Sequence, residues 1–273
     1  MNGNAVNTAS YERAAIPPGV GLLVKTFQIL DLFSDGRSAW TQAELARETG
    51  LARSTLSRLV RFLCARSYLM EQRGRYTLGF AAVDLGRRAQ LQFNLVDLCY
   101  GLLEEVAQAT GETAILTGYD ESRGCVVCLA QIPSWHGGLR VFENIGNSYP
   151  LHAGATSKAV LAFLPEAQIE RVLAGALSPV NPAVKTQRKK LRAHLATIRG
   201  TGFVVTREET FSGVVGVGVP LLTPRGAPLG SIAMAGPLQR MNAKAIDRSA
   251  KLLLDIGRRA TVLFGGETGG SGA

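Results

Sequence analysis

From Arg53 onward, apolar side chains recur at Leu56, Leu59, Val60 and Leu63, the i, i+3, i+4, i+7 spacing of one buried helical stripe. Ser54, Ser57, Arg58 and Arg61 repeat that spacing about half a turn away, at roughly 100° per residue. One side of this predicted helix is aliphatic. The other carries hydroxyls and guanidiniums and no carboxylate, whereas a solvated helix usually mixes its signs. Upstream, Leu23, Phe27, Leu30 and Phe33 fall near the period of another helical face, which Ser34-Asp35-Gly36 then ends. Between the two, Thr41-Gln42-Ala43-Glu44 has the form of a capping box, so a short helix is predicted to start there. Gly50 is placed to end it, leaving a tight turn at Thr49-Gly50-Leu51.

Past Tyr68-Leu69-Met70, the segment from Glu71 to Leu78 reads as two short strands around a turn at Gly74, with Arg73 and Arg75 at the tip. Phe80 to Asn94 is helix-compatible and free of proline. Leu95 to Thr110 follows as a further helix, with Leu98, Leu102, Val106 and Ala109 at core spacing and Gly111 as its stop. The texture then changes. Ala114–Tyr119, Cys125–Ile132, Gly202–Thr206, Val214–Val219 and Gly230–Ala235 look like strands. Helical stretches at Ser157–Leu164, Pro165–Ala174, Gln187–Arg199 and Ala243–Leu263 lie between or after them. An α+β chain of two domains is the expected class, with an all-local helical unit first and a mixed unit second.

At 273 residues and 46% apolar content, the chain has room for two domains. No apolar run reaches 18 residues, and MNGNAVNTASYERAAIPPGVG lacks a secretory h-region, so a cytoplasmic protein is expected. That segment and GGETGGSGA at the other end read as tails. Cys64, Cys99, Cys125 and Cys128 are few and suggest free thiols. The formal net charge is +9, which suits a polyanionic partner or an ordinary basic enzyme alike. Location decides more than total. Between Val20 and Leu95 there are 11 Lys or Arg against 6 Asp or Glu.

Two helices joined by a short glycine turn, the second without acids, is the helix-turn-helix layout. Arginine on that second helix can pair bidentately with guanine, and hydroxyls can bind phosphates or bases. The candidate contacts to double-stranded DNA are therefore Thr41, Arg53, Ser54, Thr55, Ser57, Arg58 and Arg61, with Arg73 and Arg75 of the hairpin as a wing on the backbone. The competing reading is a plain amphipathic surface helix, which leaves the turn and the missing acids unexplained.

These residues carry a resemblance. "TQAELARETGLARSTLSRLVRFL" and the "YTLG" that closes the hairpin resemble the IclR-type regulators. So do "LHAGATSKAVLAFL", "IRGTGFVVTREETFSGVVGVGVP" and "GSIAMAGP", in family order. The resemblance implies a winged helix-turn-helix at 21–80, a linker helix at 81–95 that helps pair two chains, and a GAF-like α/β effector-binding domain at 96–264, between tails at 1–20 and 265–273. It also implies a homodimer or dimer of dimers on a pseudo-palindromic operator, and a small organic effector.

By alignment with the family, the pocket is expected around Leu151–Ser157, Thr206–Gly216 and Ser231–Ala235. Ala155 and Thr156 stand where loop amides usually face the ligand, and backbone donors ahead of a helix can hold a carboxylate. Ser157 occupies the family's usual glycine, and His152 lies in the same loop. Family members that bind small hydrophilic acids tend to carry an acid, a cysteine and serines at four further positions. This chain has Thr206, Gly216, Ala233 and Ala235 there, with one hydroxyl among them. Fewer polar groups should favour an aromatic or otherwise bulky organic acid.

Other constellations carry less. Cys125-Val126-Val127-Cys128 is formally CxxC, but no second ligand pair accompanies it, and residues i and i+3 of a strand diverge. Gly213 to Gly218 is followed by no helix, so it is no dinucleotide fingerprint. Glu208 and Glu209, if on a strand, cannot both face one substrate. Gln187-Arg188-Lys189-Lys190 reads as a solvated face. No catalytic residue, metal site or cofactor is expected. The alternative of another class is a GAF-like thiol redox enzyme using Cys125 and Cys128.

Overall fold

The computed structural model describes residues 18–33, 37–92, 94–136, 141 and 144–266. The expected stop at Ser34-Asp35-Gly36 and most of both expected tails lie outside these residues. Contacts divide the chain into two compact units, Met1–Phe93 and Asn94–Ala273.

In the first unit, α1 spans Gly21–Leu30, β1 Trp40–Thr41, α2 Gln42–Thr49, α3 Arg53–Ala65, β2 Leu69–Gln72, β3 Arg75–Leu78 and α4 Phe80–Gln92. The aliphatic stripe of α3 is buried as its spacing requires: Leu56, Leu59, Val60 and Leu63 join Ile29, Leu45, Trp40 and Leu69 in one core. The three strands pair antiparallel in the order β1-β3-β2. The β2–β3 turn places Arg73 at φ 53° and Gly74 at φ 75°. Two consecutive positive φ values give the two-residue turn whose twist suits a hairpin. Gly79 closes the wing at a spot where no side chain fits. A Cβ there would lie 2.2 Å from the Ser67 carbonyl oxygen. The face expected on α1 is only half right. Leu30 and Phe33 pack on the core, but Leu23 and Phe27 stay exposed, and the fully buried residue is Ile29.

The second unit begins with α5 (Asn94–Thr110) and continues through β4 (Thr113–Asp120), β5 (Cys125–Ile132), β6 (Ser148–Pro150), α6 (Ala155–Leu161), α7 (Glu166–Ala174), α8 (Arg188–Thr201), β7 (Val204–Arg207), β8 (Val214–Leu222), β9 (Pro228–Pro237) and α9 (Ala243–Gly266). Its six strands form one antiparallel sheet in the order β6-β5-β4-β9-β8-β7. Two departures from expectation are local. Gly202 is not in a strand but caps α8 at φ 79°, and the short strand β6 carries too little pattern to be read in advance. On α5 the buried stripe is Cys99, Leu102, Leu103, Val106 and Ala107, while Ala109 faces solvent.

Side-chain alternation sorts the sheet's two faces. Val215, Val217, Val219, Leu221, Ile232 and Met234 pack with α5 and α9 in the larger core. The intervening positions of β8 and β9 are small: Gly216, Gly218, Ser231, Ala233 and Ala235. α6 lies over that face. Its approach depends on the glycines, because a Cβ on Gly216 would come within 2.9 Å of the Ala155 Cβ, and one on Gly218 within 3.3 Å of the Ala155 oxygen. The result is an α+β protein with an N-terminal helix-turn-helix and a C-terminal α/β domain on a curled sheet.

Candidate nucleic-acid interface and ligand cavity

The turn and the two helices of the first unit are fixed by short-range chemistry. Thr41 caps α2: its hydroxyl accepts the Glu44 N–H at 3.3 Å, and the Glu44 carboxylate accepts the Thr41 N–H at 2.8 Å. These bonds, chiefly the one from the Thr41 backbone, hold the Glu44 carboxyl down at about 2. Arg37 also pairs with Glu44 and stacks over Trp40, 3.7 Å from the ring centroid. Gly50 ends α2 at φ 67°, and α3 begins three residues later.

On α3, Arg53, Ser54, Arg58 and Arg61 are exposed, and Thr55 and Ser57 are half-buried. The face free of acids is thus turned outward, opposite the buried stripe. Among the described residues, the side chains of Arg53, Arg58 and Arg61 make no hydrogen bond or ion pair, and neither do those of Arg73 and Arg75 of the wing. Several nearby arginines are engaged, Arg47 with Glu48 and Arg87 and Arg88 with Asp84, whereas Arg66, just past α3, is exposed and like the α3 set in pairing with no side chain among the described residues. Uncommitted guanidiniums on an exposed helix face and hairpin tip are what phosphates and base edges can use. Thr41 differs from the rest of the expected set. Its hydroxyl donates to Glu44 at 2.8 Å, so its proton is spent on the cap.

In the second unit, a cleft lies between α6, the sheet and the turn that joins β7 to β8. Its cavity volume is about 40 Å³, and the cleft is partly open to solvent. Small-molecule sites usually run to roughly 300–1,000 Å³, so the walls of this cleft must part to admit an organic ligand. Six of the expected positions meet on its wall: Ala155, Thr156, Thr206, Gly216, Ala233 and Ala235. Two do not. His152 is buried, and its Nε2 donates to the Ser178 carbonyl at 2.8 Å. Burial keeps its pKa below the ordinary value. Ser157 is wholly buried one position further round the helix, and among the described residues its Oγ has no partner.

The cleft also takes residues that the sequence did not single out. Ile115, Tyr149, Phe211 and Val214 add apolar and aromatic surface, and Glu209 and Thr210 add polar groups. Glu208 and Glu209 are not on a strand, as first assumed. They lie in the turn after β7, where Glu208 takes φ 57° and donates its N–H to the Val214 carbonyl at 2.7 Å. Phe211 and Thr210 were marked only by lying between Thr206 and Gly216. Ile115 and Tyr149 had no local signal, because they come from strands far away in the chain.

Cys125 and Cys128 are buried thiols outside any disulfide. Three apart on β5, they point to opposite faces. Cys128 packs with Ile115, Val141 and Ala235 beneath the cleft. The sulfurs therefore do not meet, as thiol redox chemistry between them would require.

A winged helix-turn-helix with an outward, acid-free recognition helix, together with a second domain holding a cleft at the expected ligand positions, defines a DNA-binding transcriptional regulator. The chain belongs to the IclR family. Residues 22–73 match the IclR helix-turn-helix domain, and residues 89–261 match the bacterial transcriptional regulator IclR C-terminal domain. It is 29% identical over 239 residues to the HTH-type transcriptional regulator Rv1719 of Mycobacterium tuberculosis, covering 86% of this chain and 89% of that one. Among solved structures, an IclR transcriptional regulator from Alicyclobacillus acidocaldarius superposes with a TM-score of 0.79 at 22% identity, over 89% of this chain and 98% of that one. An IclR homolog complexed with 4-hydroxybenzoate, from Microbacterium hydrocarbonoxydans, gives a TM-score of 0.78 at 23% identity, over 90% and 99%. Among the described residues, no helix is long and apolar enough to cross a membrane.

Proposed function

We propose that this regulator binds a pseudo-palindromic operator as a homodimer and that a small organic effector in the cleft controls the binding. The α3 face of Arg53, Ser54, Thr55, Ser57, Arg58 and Arg61 reads the major groove, and Arg73 and Arg75 hold the backbone through the wing. The observation that carries the DNA part is the set of outward guanidiniums without partners on α3 and β2–β3.

Dimer formation is supported by apolar side chains left uncovered on two helices of the first unit. These are Leu22, Leu23 and Phe27 on α1 and Phe80, Val83 and Leu85 on α4. Six large exposed apolar residues on two short helices call for a cover, and a second copy supplies one by symmetry.

The effector is an aromatic or otherwise bulky organic acid. Tyr149, Phe211, Ile115 and Val214 suit an apolar body, and Gly216, Ala233 and Ala235 set no bulky side chain against it. The hydroxyls of Thr156, Thr206 and Thr210 suit its polar groups. Among the described residues the Thr206 hydroxyl makes no hydrogen bond, and the residue is 6% exposed. The related protein that carries 4-hydroxybenzoate fits the same class. Effector control works only through unequal affinity for DNA-competent and DNA-incompetent arrangements.

A thermal-shift and calorimetry series tests this reading. Aromatic acids such as 4-hydroxybenzoate should raise Tm and bind the wild-type protein, and filling the floor with Ala233→Leu should abolish that. Tight binding of glyoxylate or pyruvate with none of aromatic acids would overturn the assignment.

A further inference from the structure

We propose that Lys158, with the backbone N–H of Gly154, forms an anion site at the cleft, occupied in the free chain by the chain's own Glu209 and open to exchange with a ligand carboxylate. The proposal rests on the effector reading above and adds how an acid is received.

Glu209 lies in the β7–β8 turn, yet its side chain crosses to the α6 side of the cleft. Its Oε1 accepts from Lys158 Nζ at 2.6 Å, and its Oε2 accepts the Gly154 N–H at 3.0 Å. The Lys158 side chain is 6% exposed and that of Glu209 19%. A buried ammonium must keep an anion beside it, because removing one partner of such a pair leaves an uncompensated charge. Nothing requires that the anion be Glu209.

The wall of the cleft decides what an entering acid meets. Its residues include Glu209 and Gly154 but no Lys, Arg or His. A ligand carboxylate therefore faces a carboxylate, with the matching cation behind it. Two carboxylates at one site repel each other. Exchange removes the conflict. The ligand takes Lys158 and the Gly154 N–H, Glu209 moves toward solvent, and the buried charge stays balanced.

Exchange also has a mechanical consequence. The turn at 208–213 carries Thr210 and Phe211, both on the cleft wall. Glu209 ties this turn to the α6 side, while Asn181 holds it from behind through Nδ2 to the Glu208 oxygen at 2.6 Å and N–H to the Glu209 oxygen at 3.2 Å. Glu208 sits in the left-handed region, a conformation costly for a residue with a Cβ, held by its carboxylate accepting the Gly213 N–H at 2.8 Å. Releasing Glu209 frees a strained turn, so ligand arrival becomes a change in the wall of the cleft.

The test uses the full-length protein and acetate. Glu209→Ala orphans Lys158 and should lower Tm. Acetate should then restore Tm saturably, while chloride at equal ionic strength should not. Wild type should not respond to acetate, since tethered Glu209 competes at high effective concentration. The double variant Lys158→Met/Glu209→Ala should also be indifferent to acetate. Equal responses in wild type and Glu209→Ala, or none in either, overturn the proposal. Should Glu209→Ala not fold, Glu209→Gln serves through benzoate calorimetry, with binding expected about tenfold tighter or more than to wild type. Equal benzoate affinity in the two proteins overturns the exchange and leaves the effector cleft standing. Acetate rescue with no aromatic acid bound to either protein upholds the anion site and overturns the effector reading.

Discussion

Arg240 grips Glu112 with two parallel hydrogen bonds, Nε to Oε1 at 2.5 Å and Nη2 to Oε2 at 2.7 Å, across 128 residues of chain. Glu112 precedes β4, and Arg240 lies between β9 and α9, so the pair joins the start of one central strand to the connection after its neighbour. Glu112 is 4% exposed. Its charge is tolerable there only with the guanidinium present. Arg240→Ala should therefore destabilise the C-terminal domain by about 3 kcal/mol, read from denaturant midpoints. Arg240→Ala combined with Glu112→Gln should recover part of the loss. A loss under about 0.5 kcal/mol for the single variant would mean that water replaces Arg240 adequately.

The cap at the head of α2 predicts both a mutational and a pH effect. Thr41→Ala should cost about 1 kcal/mol, and Thr41→Ser much less, because only the hydroxyl is needed. Glu44 is held at about 2, below the 4.5 of a free glutamate. Its folded form resists protonation, so its stabilising contribution is complete above about 4.5 and fades as pH falls toward 2. Glu44→Gln should flatten the acid side of the Tm–pH curve. An unchanged curve would place the acid sensitivity elsewhere.

Arg58 and Arg73 should behave differently in DNA binding. Arg58→Ala should weaken operator binding by about 1–3 kcal/mol and relax preference at one base position. Arg73→Ala should weaken all duplexes alike and reduce the slope of log K against log salt by about one. Titrations against operator and random duplex over a salt series separate the two. A sequence-selective loss for Arg73 would remove it from the wing contact.

Buried His152 predicts a second pH effect, at the mildly acidic end. Burial lowers its pKa below 6.5 against the raising effect of the bond to the Ser178 carbonyl, with Lys158 adding to the lowering and Glu209 opposing it; His194 is lowered by burial too. The unfolded chain thus takes up protons before the folded one. Stability should be complete above about pH 6.5 and fall as pH drops below it. His152→Gln with His194→Gln should remove that slope in denaturant midpoints measured from pH 7.5 to 5.5, taken as roughly one unit either side of the free value. A slope that persists in the double variant would assign it to other groups.

Local periodicity was enough for much of the architecture. The α3 stripe of Leu56, Leu59, Val60 and Leu63, the Thr41–Glu44 box and the Gly50 stop are each written within a few residues, because helix caps and helix faces are short-range. β5 was legible for the same reason, as an apolar run between turn residues. β6 was not, since three residues carry no period. On α1, spacing alone could not tell which apolar side chains the unit buries. Leu23 and Phe27 share a period with Leu30 and Phe33, yet only the latter two meet the core.

The cleft divides the same way. Ala155, Thr156, Thr206, Gly216, Ala233 and Ala235 were marked by resemblance to a family. The partnership of Lys158 with Glu209, 51 residues apart, left no local trace. The chain by itself determined which segments are helix or strand and which helix side is cationic, because those follow from neighbours at fixed spacing. Only tertiary structure decided which distant side chains share a wall. Sheet order and the close approach of α6 to glycine-bearing strands set that wall, and neither is a property of any single stretch of sequence.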